Sequence, residues 1–313
     1  MKYICITGAG GSIGSEICRK LLKEEQNLLL VDSSEFSLFK IWEELKSTIN
    51  SSNKKINITP LLINLTDEKS ILESFKKYKI VKIYHAAAYK HVNLIEKNPI
   101  SGLTNNIYST INIANYALQN DIEIVHISTD KAVKPVNFMG ASKRLCEKIL
   151  LAKSKKGLKV KIVRFGNVLD SSGSVIPIFR DQIKKGGPVT VTSKKAERYF
   201  MTIPQAVNLV LRVSLNGENS NIYVLDMGKP RKIYDLAKDM VSKAKKSHIK
   251  IKIIGLRSGE KETEELTLGK LIKTKMKGIF ISEEKIKLDD NFEDDLIKTI
   301  KNPKKIEGIF KLT

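Results

Sequence analysis

Side chains able to do chemistry gather in one stretch, Ile127 to Lys143, which reads ISTDKAVKPVNFMGASK. Two hydroxyls, Ser128 and Thr129, run directly into an acid and an amine, Asp130 and Lys131. Met139 and Lys143 follow on a predicted helix, one turn apart. An adjacent carboxyl and amine are candidates for a general acid and a general base. Lysine is an ammonium in water near neutral pH, so Lys131 needs desolvation or a neighbouring positive charge to act as base. The plainer alternative is an Asp130 that caps a helix beside a surface Lys131.

The elements before this stretch say what it would face. Lys2 to Thr7 (KYICIT) reads as a buried strand, followed by GAGGSIG and an amphipathic pattern through Ile17, Leu21 and Leu22. Strand, glycine loop and helix in that order form a phosphate-binding turn, with Gly8, Gly11 and Gly14 permitting a tight turn and close approach of backbone to pyrophosphate. The helix N-terminus then favours the phosphate charge. A second apolar strand, Leu28 to Val31, ends at Asp32, close to the offset of about 20 residues at which an acid accepts from the adenosine ribose hydroxyls. That carboxylate would repel a 2′-phosphate, which favours NAD over NADP, with Lys40 the nearby residue that could change the preference.

Thr59 to Asn64 reads as a third strand. Asp67 caps a helix from Glu68 to Tyr78. A fourth strand, Lys82 to His85, leads into Ala86, Ala87 and Ala88, small enough for a cofactor to lie against the backbone or equally for close packing. A helix over Ser101 to Leu118, carrying Asn105 and Asn106, precedes a fifth strand, Glu123 to Ile127, and a sixth covers Lys159 to Phe165. This alternation predicts an α/β fold, a Rossmann-type doubly wound parallel sheet with ligands beyond the carboxyl ends of its strands. Gly, Ser and Pro density after Phe165 marks a departure from it. Residues 1–167, completed by a helix at Pro204 to Ser214 and a strand at Asn221 to Leu225, form the expected dinucleotide-binding domain. A smaller C-terminal α/β substrate-binding domain takes residues 168–203 and 227–313, with a helix at Ile233 to Ala244, a strand at Lys250 to Ile254 and an acidic tail helix at Asn291 to Ile300.

A hydrophobic share of 42% suits a folded protein, and no apolar run approaches the roughly 18 residues of a membrane span. The chain opens with Lys2 and a short strand, so no signal peptide is read and the cytoplasm is expected. Cys5, Cys18 and Cys146 lack metal-ligand spacing and read as small buried hydrophobes, so no metal is expected. The formal charge of +21 is spread over dispersed lysines, including Lys54 and Lys55, without interleaved aromatics, which reads as a solvated surface rather than a nucleic-acid site.

The segments ITGAGGSIGSEIC, DSSEFSL, YHAAAYKHVNLIEKNP, HISTDKAVKPVNFMGASKR, VRFGNVLDSSGSVIPIFRDQI, GGPVTVT, RYFMTIPQA, YVLDMGKP and GLRSGEK follow one another along nearly the whole chain. Together they resemble the extended short-chain dehydrogenase/reductase superfamily, and within it the polysaccharide-biosynthesis UDP-N-acetylglucosamine 4,6-dehydratases. Most extended members place Tyr where Met139 stands, and a thioether cannot deprotonate a hydroxyl. Met at that position is similar to the subgroup that retains configuration at carbon 5. Many members carry an N-terminal membrane region, whereas this sequence opens at the first strand.

The resemblance implies an internal hydride transfer from carbon 4 to carbon 6 of UDP-N-acetylglucosamine or a close sugar nucleotide, with loss of water and NAD regenerated. On that reading Asp130 is the acid, Lys131 the base activated by positive charge on Lys143 and the nicotinamide, and Lys143 the ligand of the nicotinamide ribose. Ser128 and Thr129 orient the 4-hydroxyl, with Asp130 accepting its proton. The implied cofactor set is Gly8, Gly11, Ser12, Ile13, Gly14, Asp32, Asn64, Leu65, Ala86, Ala87, Ala88, Asn106, Ser128 and Lys143. Asn167 and the 173–190 segment, Val175 included, would contact diphosphate and sugar. Arg198 and Arg257 would pair with phosphate, and Glu260 would accept from the uridine ribose. Tyr89, Lys90 and His91 would line the sugar pocket, His91 being equally readable as a surface residue. A homodimer or higher oligomer is implied through Ser101 to Leu118 and Gly140 to Ala152, whose apolar content also fits packing within one chain. Competing readings are a 4-epimerase, an inverting 4,6-dehydratase, and a non-catalytic NAD-sensing or nucleic-acid-binding protein.

Overall fold

The computed structural model describes residues 1–51, 55–171, 173–246, 248–284, 286 and 292–313; Lys54 and Asn291, named above, lie outside them. The apolar runs form strands β1 (Lys2–Thr7), β2 (Leu28–Asp32), β3 (Ile58–Leu62), β4 (Lys79–His85), β5 (Glu123–Thr129) and β6 (Val160–Phe165). They pair in parallel in the order β3-β2-β1-β4-β5-β6, and the strand Asn221–Leu225 adds in parallel beyond β6. This is the expected Rossmann-type order.

Helices cover both faces, because a strand buried on two sides needs an apolar partner on each. On one face lie α1 (Ser12–Lys23), α2 (Glu35–Asn50) and α8 (Ile203–Asn216), meeting Ile6, Leu30, Val125 and Val163 through residues such as Ile17, Leu21, Ile41 and Val210. On the other lie α3 (Glu68–Phe75), α5 (Pro99–Gln119) and α6 (Phe138–Ser154), meeting Cys5, Ile83, Ile124 and Ile162 through Ile71, Phe75, Ile113 and Leu150. Asp67 caps α3 as expected, accepting from the amides of Lys69 and Ser70. Cys5, Cys18 and Cys146 are buried free thiols. A short helix not anticipated, α4 (Val92–Lys97), precedes α5.

A separate small core joins α7 (Val175–Lys184), α9 (Ile233–Lys243) and the paired strands Val189–Val191 and Ile251–Ile253. The rest of the C-terminal region departs from the expected division. Ile279–Glu283 pairs antiparallel with Asn221–Leu225, and Lys270–Lys273 extends the same nine-stranded sheet. Without that hairpin the backbone of Asn221–Leu225 would be an unpaired edge. Beyond it, α10 (Phe292–Ile300) and the 3-10 segment Pro303–Leu312 bring Phe292, Leu296, Ile300 and Ile309 against Leu103, Ile107, Leu145 and Ile149 of α5 and α6. The surface expected to pair two subunits is therefore covered by the chain's own end. Among the described residues, no helix is long and apolar enough to cross a membrane.

Candidate active site

A cavity of about 1000 Å³ opens beyond the carboxyl ends of the parallel strands. Gly8, Gly11, Ser12, Ile13, Gly14 and Asp32 line one end, with Asn64, Leu65 and Ala86 to Ala88 along a wall. Ser128, Thr129, Lys131, Met139 and Lys143 stand in the middle, and Tyr89, Lys90, His91, Asn167, Val175, Arg198, Arg257 and Glu260 enclose the rest. Two expected residues, Asp130 and Asn106, are not on its wall.

The glycine end fits a dinucleotide by its own geometry. Gly8 holds φ at +68°, and a Cβ there would lie 2.8 Å from the backbone of Ala87. At Gly14 a Cβ would lie 2.0 Å from the Gly8 carbonyl oxygen, so the loop closes this tightly only around hydrogen atoms. Gly11 caps α1 without a side-chain hydrogen bond, and the first turn holds no acid, which leaves the helix end suited to an anion. Asp32 accepts from the amide of Gly10 at 2.9 Å and from that of Ser34 at 2.9 Å, tying the glycine loop to the end of β2. Gly10 also belongs to the site, although the three-residue spacing of Gly8, Gly11 and Gly14 does not include it.

Asn106 is fully buried, donating to the Tyr89 carbonyl and accepting from its amide. It shapes the 89–91 turn from behind, and its neighbour Asn105 reaches the cavity. On a helix facing a loop, adjacent residues point in directions that sequence spacing alone leaves open.

The central triplet is arranged differently from expectation. Asp130 sits beneath Thr129 and Lys131: its Oδ1 accepts from the Thr129 hydroxyl at 2.9 Å and the Lys131 ammonium at 3.0 Å, while Oδ2 is buried without a hydrogen-bond partner. Lys131 also donates to Asn167 Oδ1 at 3.2 Å and lies 3.7 Å from Glu264. Burial pushes its ammonium toward losing a proton, and Arg198 does so further. The Asp130 and Glu264 carboxylates outweigh both, holding Lys131 above the ordinary lysine range. Desolvation and a neighbouring positive charge are thus both present, but the carboxylates keep Lys131 an ammonium in the resting site. The nearby cation is Arg198, not Lys143, and two acids oppose it.

Lys143 is turned inward, donating to His126 Nε2 at 3.0 Å and to the Ile127 carbonyl at 2.6 Å. Burial lowers its affinity for a proton. An ammonium has three donors, so one remains for a ribose hydroxyl on the cavity side. Ser128 gives its proton to Glu147 Oε1 at 2.6 Å, in a buried cluster of Glu147, Arg164, Arg144 and Glu284. Its hydroxyl is committed behind β5, which leaves Thr129 alone to meet a substrate hydroxyl.

At the far end, Arg198 donates to the carbonyls of Glu197, Lys261 and Glu262 and approaches Glu260. Its fork is spent on the 260–262 turn, so it braces the wall more than it offers itself to a phosphate. Glu260 accepts from Thr192 at 2.9 Å and from the Arg257 amide at 3.3 Å. Burial lowers the proton affinity of Lys90, and of His91, which stands exposed on the rim over Gly173. The acid missed altogether is Glu264. It lies in SGEKETEE, where dense charge with no periodicity gives no sign of which carboxylate turns inward.

Residues 4–284 match the family described as polysaccharide biosynthesis protein. The capsular polysaccharide biosynthesis protein CapD of Staphylococcus aureus is 46% identical over 271 residues, covering 85% of this chain and 45% of that protein. The chain therefore spans under half the length of that relative. A UDP-glucose 4-epimerase of Rickettsia rickettsii is 33% identical over 274 residues, covering 85% of this chain and 77% of the other. Among solved structures, Pen from Bacillus thuringiensis superimposes with a TM-score of 0.81 at 30% identity, over 90% of this chain and 87% of that one.

Proposed function

The chain belongs to the polysaccharide biosynthesis protein family, and on that premise we propose that it is an NAD-dependent 4,6-dehydratase of UDP-N-acetylglucosamine. The observation that carries this reading is that Thr129 and Lys131, both held by the buried Asp130 carboxylate at the end of β5, share one cavity with the glycine loop and with a thioether, Met139, at the usual tyrosine position.

Bound NAD would supply the hydride acceptor for carbon 4 and the donor for carbon 6. The residues handle the protons. Thr129 meets the 4-hydroxyl and passes its proton to Asp130 through the 2.9 Å hydrogen bond between them. Asp130, now neutral, no longer holds Lys131 as an ammonium, so the amine moves toward the free form that can take the carbon 5 proton. The proton on Asp130 returns through the Thr129 hydroxyl to the 6-hydroxyl, which leaves as water. Lys131 then gives the carbon 5 proton back to carbon 5 and is left as the free amine, one proton short of its starting ammonium. Asp130 is thus acid and Lys131 base, but only in sequence.

Incubation with UDP-N-acetylglucosamine and mass spectrometry tests the reading: product lighter by one water supports it, and unchanged mass with an altered sugar indicates a 4-epimerase. That second reading is favoured by the identity to a protein named UDP-glucose 4-epimerase. Against it stands Asp130 beside Lys131, since an epimerase has no hydroxyl to expel.

A further inference from the structure

We propose that Glu264 is the proton store for Lys131: it takes the lysine's proton as Asp130 becomes neutral and gives it back once carbon 5 is reprotonated. This rests on the dehydratase reading above. Glu264 does not touch the substrate; it acts through Lys131 and so positions a proton rather than reacting.

The geometry selects this residue. Its Oε1 is 3.7 Å from Lys131 Nζ, close enough for a small rotation to make a hydrogen bond. Oε2 is buried with no hydrogen-bond partner, an acceptor prepared but unused. The charged groups facing Glu264 are Lys131 and Asp130 after β5, Arg198 on the strand Glu197–Arg198, and Lys261 on its own turn at 3.9 Å. Lys261 is itself held by the Val133 carbonyl at 2.8 Å. Burial raises the proton affinity of Glu264 above an ordinary glutamate, offset in part by Lys131. A carboxylate that binds a proton more readily than usual, next to an ammonium that must lose one, is a matched pair.

The protons balance. One passes from the 4-hydroxyl through Thr129 to Asp130, returns through Thr129 and departs in the water. A second moves from Lys131 to Glu264, the carbon 5 proton then goes to the free amine and back to carbon 5, and Glu264 returns the second to Lys131. No group outside the reading is consumed.

The test is the pH dependence of water loss in the wild type and Glu264→Gln. Without the store, Lys131 must shed its proton to solvent, so kcat is expected to fall by about 10²-fold at pH 7 and to climb roughly tenfold per pH unit above it. KM is expected to stay within about threefold of wild type. A Gln variant with wild-type kcat, or a loss with no alkaline recovery, overturns the proposal. A second arm needs no substrate: competitive acetylation of Lys131 across pH, read by peptide mass. Glu264→Gln is expected to lower the apparent pKa of Lys131 by about one to three units, and no shift overturns the store even if UDP-N-acetylglucosamine is not turned over. If the Gln variant does not fold, Glu264→Asp is expected to lie between it and the wild type in both arms; an Asp variant indistinguishable from wild type overturns it.

Discussion

Replacing Asp32 by Asn tests the cofactor half of the reading directly. In the structure one carboxylate oxygen holds the Gly10 amide and the other the Ser34 amide, each at 2.9 Å, and the half-buried group faces the cavity at the end of β2. The substitution removes the charge and turns one acceptor into a donor. A hydrogen bond to a charged acceptor is worth about 1.5–3 kcal/mol, so loss of the ribose contact should cost NAD about 2 kcal/mol, or some 30-fold in Kd. NADP would lose the same contact but escape repulsion between Asp32 and its 2′-phosphate. At a partly solvated separation near 4 Å that repulsion is at least about 1 kcal/mol. The lost contact is common to both dinucleotides, so the ratio of Kd for NADP to Kd for NAD should fall by the relieved repulsion alone, at least about fivefold. Isothermal titration of both dinucleotides with both proteins reads it. A ratio unmoved within about threefold would refute the assignment of Asp32 to the ribose and reduce it to a brace for the glycine loop.

Gly14→Ala drives a Cβ into the Gly8 carbonyl oxygen, so the loop must spread: about 1–3 kcal/mol of stability and most NAD affinity should be lost, as thermal melting with and without NAD will show. His85 and His126 are buried as neutral rings, burial pressing His85 down to about 3 and His126 well below the ordinary range, with the charge of Lys143 adding to both. The folded state therefore binds fewer protons, and stability should be full above about pH 6.5 and fall below it by up to about 1.4 kcal/mol per pH unit for each ring. Urea unfolding at intervals between pH 7 and 5 measures this, and a flat profile contradicts it. Arg164→Met leaves Glu147 and Glu284 buried around a lost guanidinium, which should cost about 3–5 kcal/mol in urea unfolding and release Ser128 from its anchored partner.

Much of the fold was legible because it is written in local patterns. Apolar runs bounded by turns placed β1, β2 and the strand Asn221–Leu225 within a residue or so, and glycines at Gly8, Gly11 and Gly14 announced a turn whose close contacts exclude a side chain at Gly8 and Gly14. Asp32, Thr129 and Lys131 could be placed at strand ends, and the doubly wound order carried those ends to one side of the sheet. The direction of individual side chains was less legible. Arg198 reads as a phosphate ligand until its fork is seen closing on three backbone carbonyls, and Asn106 yields the cavity to Asn105 by helical phase.

Order of elements, the glycine turn and the adjacency of acid and amine are properties of neighbouring residues, and hydrophobic periodicity with backbone sterics suffices to determine them. Tertiary structure alone decided that Asp130 lies beneath its neighbours, that Glu264 faces Lys131, and that residues 292–313 cover α5 and α6. Each depends on segments distant in the chain meeting across a packed interface. There the charge state and accessibility of a group follow from desolvation and from the partner that happens to arrive, neither of which spacing along the chain records.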